Sequence, residues 1–223
     1  MRYCWTSLLL CTFCAANAQE KPKSAAPEIE QTGLSRVLLI GDSISMGYTP
    51  PVQRLLKGRA IVARIPANGG PTTRGLANIE KWLGDGNWDL IHFNWGIHDL
   101  KYMDTGKRQV EPDDYEKNLR TLVKRLQQTN AKLIWAATTP IPKGKLNPDR
   151  SFGDENEYNT IAAKIMKEEG IVINDLHGYV MPRFTELHKP HDLHYLSAGS
   201  DFLANRVAEI IELHLPDAVV NKE

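Results

Sequence analysis

Cysteine is nearly missing from this chain, and its three copies, Cys4, Cys11 and Cys14, sit together at one end. Past residue 14 there is no thiol to form a disulfide, join a metal cluster or attack a substrate. A surplus of either charge is missing too. The 27 lysines and arginines equal the 27 aspartates and glutamates, with no long block of one sign. That balance excludes an electrostatic nucleic-acid binder or a polyanion clamp. No apolar run approaches the roughly 20 residues a membrane span needs, so no integral membrane association is expected. Neither the H-E-x-x-H pair of zinc peptidases nor the G-x-S-x-G elbow of lipase-type hydrolases occurs.

The first residues read as a processing signal. Arg2 precedes an apolar stretch from Leu8 to Phe13, followed by the small-x-small triplet Ala16-Asn17-Ala18. Residues 1–18 are therefore expected to be a signal peptide cleaved before Gln19, and the protein to be secreted or periplasmic. Thr12 and Phe13 fit a lipid-attachment site at Cys14 poorly. Residues 19–33 are polar, contain Pro22 and Pro27, and read as a flexible leader. The remainder, 34–223, is long enough for one domain with a substantial core.

From Leu34 onward, short apolar runs alternate with amphipathic ones. VLLIG, AIVARI, WDLIHFNWG, AKLIWAATTP and GIVIND are rich in branched and aromatic residues and lack polar alternation, so they predict five strands buried on both faces. The intervening pattern predicts helices over Pro51–Lys57, Arg74–Leu83, Pro112–Gln128, Asn156–Glu169 and Ser197–Leu213. Pro112 before Asp113 and Asp114 is a helix start, because proline tolerates the first turn and acids complement the helix dipole there. Repeated strand-then-helix order predicts an α/β fold with a parallel sheet and helices on both sides. Ligands in such folds bind beyond the carboxyl ends of the strands. Those ends carry Asp42 and Ser43, Asn68 to Gly70, Asn94 to Asp99, and Thr138 with Thr139; the loop before the last helix carries His188, His191, Asp192 and His194.

The blocks GDSISMG, NGGPTT, NWGIHDL and DLH, in that order across nearly the whole domain, resemble those of the SGNH (GDSL-type) hydrolases. The resemblance implies a flavodoxin-like three-layer α/β/α sandwich on a five-stranded parallel sheet, and hydrolysis of esters by a serine nucleophile without a metal or other cofactor. It implies Ser43 as nucleophile, His194 as base with Asp192 as its orienting carboxylate, and an oxyanion hole from Ser43, Gly70 and a third-block side chain. A serine hydroxyl needs such a base, and the base needs a group to fix its tautomer.

Two blocks depart from the family pattern. The third reads Gly96-Ile97-His98-Asp99, with histidine where asparagine is usual, so the side-chain oxyanion donor is His98 or Asn94. The last reads D-x-H rather than D-x-x-H, which leaves open a triad through Asp192, a Ser-His dyad, or a carboxylate from Asp175. Asp42 suits turn organisation and, beside the nucleophile, substrate contact; Trp95 and Tyr195 flank the blocks as candidate pocket walls. His188, His191, His194 and Asp192 superficially suit zinc, but Pro190 interrupts any helix that would align them. Long segments at Lys101–Glu111 and Ile141–Asp154 follow strand ends and carry basic residues, which suit either solvent or an acidic sugar. The expected substrate is a small-molecule or glycan ester, with a short acyl group such as acetyl, since no broad apolar lid is evident. A non-catalytic carbohydrate-binding module on the same fold is the rival reading.

Overall fold

The computed structural model of the protein describes residues 33–216, together with Met1. Apart from Met1, the expected signal peptide and all but the last residue of the expected leader lie outside the described residues. Chain order is β1 (Ser35–Ile40), α1 (Ser43–Leu55), β2 (Ala60–Arg64), α2 (Thr72–Leu83), β3 (Leu90–Phe93), α3 (Pro112–Gln127), β4 (Lys132–Ala136), α4 (Glu155–Glu168), β5 (Val172–Asn174), α5 (Leu176–Val180), a 3-10 turn (Met181–Arg183), α6 (Phe184–Leu187) and α7 (Ser197–His214). The strands form one sheet in the order β2-β1-β3-β4-β5, and every neighbouring pair is parallel.

Strand periodicity divides the core into two layers. Leu38, Ile40, Ile91, Phe93, Leu133 and Trp135 pack with α2, α3 and α4. Their neighbours Val37, Leu39, Leu90, Ile134 and Ala136 point the other way, into α1, α5, α6 and α7. Alternate side chains of one strand thus serve opposite layers, which is why these runs are apolar throughout. The result is the three-layer α/β/α sandwich with its five-stranded parallel sheet.

The largest difference from expectation is α1. It begins at Ser43, not Pro51, and carries Pro50 and Pro51 inside it. Each internal proline costs a helix about 3 kcal/mol. Against that, Tyr48, Val52 and Leu56 are buried to 2% exposure or less, and each such side chain is worth about 1.5–3 kcal/mol. Packing on α7 therefore outweighs local propensity. Asp42 caps this helix, its carboxylate accepting from the Ile44 N–H at 2.8 Å.

Candidate active site

The turn that leaves β1 is built by close backbone approach. Gly69 donates to the Gly41 carbonyl at 2.9 Å, and a Cβ on Gly69 would stand 2.8 Å from that same oxygen. Only glycine fits. Arg64, the last residue of β2, ties the turn down from the side: its Nη2 donates to the carbonyls of Gly41 (3.0 Å) and Asp42 (3.2 Å), and its Nη1 to those of Ile65 (2.7 Å) and Ala67 (3.0 Å). Ser43 consequently emerges at the first turn of α1, where unpaired N–H groups and the helix dipole favour negative charge.

The opposite half of the site is a short loop between α6 and α7. His188 and Tyr195 form an isolated antiparallel bridge, the Lys189 N–H reaches the His194 carbonyl at 2.8 Å, and the Asp192 N–H reaches the Lys189 carbonyl at 3.2 Å. His191 takes a left-handed conformation (φ 58°) at the apex. Asp192 Oδ1 accepts both from the His194 backbone N–H at 3.1 Å and from its Nδ1 at 2.7 Å. This Asx-type turn is how a carboxylate only two residues away still reaches the imidazole. Burial pushes the Asp192 carboxyl up, but the His194 hydrogen bonds outweigh that and hold it below the ordinary carboxylate range.

His194 Nε2 lies 2.8 Å from Ser43 Oγ. With its proton on Nδ1, facing Asp192, the ring presents a lone pair to the serine hydroxyl. The side chains of His194 and Asp192 are 43% and 41% exposed, so the assembly opens to solvent. A hydroxyl, a base and an orienting carboxylate in line can generate an alkoxide equivalent against a carbonyl carbon. Asp175 takes no part: it caps α5 by accepting from the Gly178 N–H at 2.8 Å.

The candidate oxyanion donors differ in availability. The Ser43 N–H makes no hydrogen bond among the described residues. Gly70 has φ +62°, and its N–H is engaged by Asn68 Oδ1 at 2.9 Å; it serves an oxyanion only by exchanging that acceptor. Asn94 spends its amide on the Ala136 carbonyl (2.7 Å) and the Thr138 hydroxyl (3.2 Å), holding β3 to β4. His98 is half-buried and makes no such commitment. Burial depresses its pKa, Asp42 opposes this, and Arg150, Lys101 and Arg74 add to it, so the ring is neutral near pH 7 and donates one N–H.

Three expected substrate contacts are corrected. Trp95 is 1% exposed, because its position on the strand end directs it into the α2–α3 layer, where its ring fills the space above Gly75. Tyr195 is 6% exposed and wedges against Gly199 and Phe184, and its hydroxyl has no hydrogen-bond partner among the described residues. Asp42 is 5% exposed and occupied as the α1 cap. The loop histidines also diverge. His188 stacks on Phe184 and bonds its carbonyl through Nδ1, while His194 faces Ser43. Among the described residues no histidine, cysteine, aspartate and glutamate cluster has metal-site geometry.

Two further side chains shape the site from behind. Arg64 is a lone arginine closing an apolar strand. Asp99 is fully buried and accepts from the Thr72 N–H (2.8 Å) and hydroxyl (2.6 Å), fixing the start of α2 beside Gly70. Burial raises its carboxyl to about 7, against the Thr72 hydrogen bonds. Behind the first turn of α1 is a cavity of about 20 Å³ lined by Asp42, Ile44, Ser45 and Asn94, room for one water. A polar cleft of about 330 Å³ opens along Thr73, Lys107 to Glu111, Asp114 and Asn118, by the starts of α2 and α3.

Residues 39–202 match the model of the GDSL-like Lipase/Acylhydrolase family. No sequence among the curated proteins matches significantly. Among solved structures, the lipase/acylhydrolase from Enterococcus faecalis superposes with a TM-score of 0.70 at 21% identity, over 82% of this chain and 98% of that one. The acetylxylan esterase Axe2 from Geobacillus stearothermophilus gives 0.66 at 20% identity, over 82% and 95%. The acetyl xylan esterase AlAXEase gives 0.66 at 21%, over 79% and 99%. At such identities the likeness concerns the fold.

Proposed function

The chain belongs to the GDSL-like lipase/acylhydrolase family, whose members are carboxylic ester hydrolases, and from that premise we propose that it cleaves short-chain, acetyl-type esters of carbohydrates by the Ser43–His194–Asp192 relay. The observation that carries the reading is the unbroken line from Asp192 Oδ1 to His194 Nδ1 (2.7 Å) and from His194 Nε2 to Ser43 Oγ (2.8 Å). In the first step His194 takes the Ser43 proton as the oxygen attacks the ester carbon, and Asp192 stabilises the resulting imidazolium. The oxyanion accepts from the Ser43 N–H and from neutral His98, with Gly70 joining once released by Asn68; one such donor is worth about 3–4 kcal/mol of barrier. His194 then protonates the departing alcohol, and water, deprotonated by the same ring, releases the acid from the acyl-serine.

A carbohydrate alcohol is favoured by the solvent-open setting of the relay, where the His194 and Asp192 side chains are 43% and 41% exposed. Two of the structural neighbours are named acetylxylan esterases. Export by the 1–18 segment belongs to the same proposal, and N-terminal sequencing of protein recovered from the periplasm or medium should read from Gln19. The catalytic test is fluorophosphonate labelling with peptide mapping, alongside hydrolysis of 4-nitrophenyl acetate. Labelling of Ser43, and loss of both signals in Ser43→Ala, is expected. Hydrolysis that survives Ser43→Ala refutes the reading.

A further inference from the structure

Arg150 is a buried cation that forms no ion pair among the described residues. It lies in the 141–154 segment and is 4% exposed. Its Nε donates to the Ile97 carbonyl at 2.7 Å and its Nη1 to the Pro148 carbonyl at 3.1 Å. Among the described residues no hydrogen bond engages its Nη2 and no carboxylate pairs with it. The contrast with Arg108 on the other long segment is plain, since that guanidinium is matched by Asp154 at 2.7 Å. Taking an isolated charge out of water costs several kcal/mol unless a partner compensates it.

The position is also specific. The Ile97 carbonyl that Arg150 holds immediately precedes His98, and Arg150, Lys101 and Arg74 all lie close enough to depress that imidazole. Among the described residues Asp42 is the carboxylate that acts on Arg150, and it is shared with Arg64 and committed to the Ile44 N–H. Asp99 next to His98 is half-neutral near pH 7. Cations therefore outnumber anions around the third block, and one guanidinium edge is unspent. One edge balances a single charge, and a planar carboxylate matches guanidinium geometry.

We propose that Arg150, supported by Lys101 and Arg74, is a subsite for a carboxylate carried by the ester substrate, so that the preferred substrates are O-acylated sugar acids or other anionic esters. This rests on the serine esterase reading above. The carboxylate belongs either to the alcohol part or to the acyl part, and two probe pairs separate these sources. For the alcohol part, 3-acetoxybenzoate is compared with 3-acetoxybenzamide; for the acyl part, 4-nitrophenyl hemisuccinate is compared with 4-nitrophenyl acetate. The readout is the ratio of kcat/KM for the charged probe to that for its neutral partner, corrected for the probes' uncatalysed rates.

The full chain should show a ratio of at least ten in one pair, falling severalfold in 0.5 M NaCl. Arg150→Gln should lower that ratio at least tenfold, with Arg150→Lys in between. Should Arg150→Gln fail to fold, Lys101→Gln, on a half-exposed side chain of the same cluster, decides, with an expected two- to fivefold fall in the ratio. Parity in both pairs overturns the proposal, as does a ratio that the decisive variant leaves unchanged, because Arg150 then only holds the Ile97 carbonyl. Absence of all hydrolysis with Ser43 unlabelled by fluorophosphonate overturns the esterase reading instead.

Discussion

Replacing Asp192 by asparagine isolates what a partly exposed carboxylate contributes to the base. In the transition state His194 becomes an imidazolium whose Nδ1–H points at Asp192 Oδ1, 2.7 Å away. Two unit charges about 4 Å apart attract by about 1 kcal/mol in water and about 4 kcal/mol at the effective dielectric of a protein surface. With these side chains 43% and 41% exposed, screening places the charge effect at about 2–3 kcal/mol, or about 30- to 150-fold in rate. Asparagine adds a second fault. Its amide N–H can donate to Nδ1, which moves the ring proton to Nε2 and turns a base into a donor. In a fully buried triad the combined loss is about 10⁴-fold; here a fall in kcat of about 10² to 10³ is expected, while Ser43→Ala should approach 10⁶. Initial rates on 4-nitrophenyl acetate, with circular dichroism to confirm folding, measure it. Activity within fivefold of wild type refutes the role of Asp192 and leaves a dyad, whereas a 10⁴-fold loss contradicts the solvent screening on which the figure depends.

Other perturbations test the supports of the site. Gly69→Ala sets a Cβ 2.8 Å from the Gly41 carbonyl, so the turn carrying Ser43 must shift; kcat should drop about tenfold or more with little change in KM, read from full saturation curves. Arg64→Ala strips donors from four turn carbonyls, and denaturant titration should find a loss of about 2–4 kcal/mol. Arg64→Lys should rescue little of it, because an ammonium cannot span four acceptors. Asp99 binds a proton more tightly folded (about 7) than its ordinary value of 3.8. Its stabilising effect is therefore complete below about pH 4 and is lost as pH rises through 7. The melting temperature of Asp99→Asn relative to wild type should accordingly climb between pH 5 and pH 8, and a flat difference contradicts a raised carboxyl. His92 runs the opposite way: burial lowers its pKa to about 4, so stability should fall as pH drops from 6.5 toward 4, and His92→Gln should flatten that slope in acid titrations.

The parallel sheet was legible because β1, β3 and β4 need apolar side chains on both faces, a pattern that helices of this length rarely copy. Helix starts were legible where a local signal acts alone, as at Pro112. They failed at α1, where burial of Tyr48, Val52 and Leu56 against α7 overrides two prolines. Ser43, Asp192 and His194 could be named because serine, aspartate and histidine stand in short blocks at strand ends. Their meeting depends on a loop folded back through the His188–Tyr195 bridge, which no local pattern encodes. Trp95 and Tyr195 misled because proximity in sequence to a catalytic block says nothing of which layer the side chain enters. The roles of Arg64, Asp99 and Arg150 were illegible for a different reason: each reaches a backbone group distant in the chain, the Gly41 and Asp42 carbonyls, the Thr72 N–H and the Ile97 carbonyl respectively, and such partners leave no trace in residue identity.

The hydroxyl and the imidazole hang from a single pair of helices. Ser43 is the first residue of α1, while His194 precedes the first residue of α7 by three positions, and these two helices lie against each other. Gly47 permits the contact, since a Cβ there would come within 3.0 Å of Ser200 Oγ. The imidazole and its carboxylate ride together on one tight loop, so loosening this seam would part nucleophile from base while leaving the base correctly oriented. Mild heat or denaturant should then silence turnover before the sheet melts, and cooling should restore it.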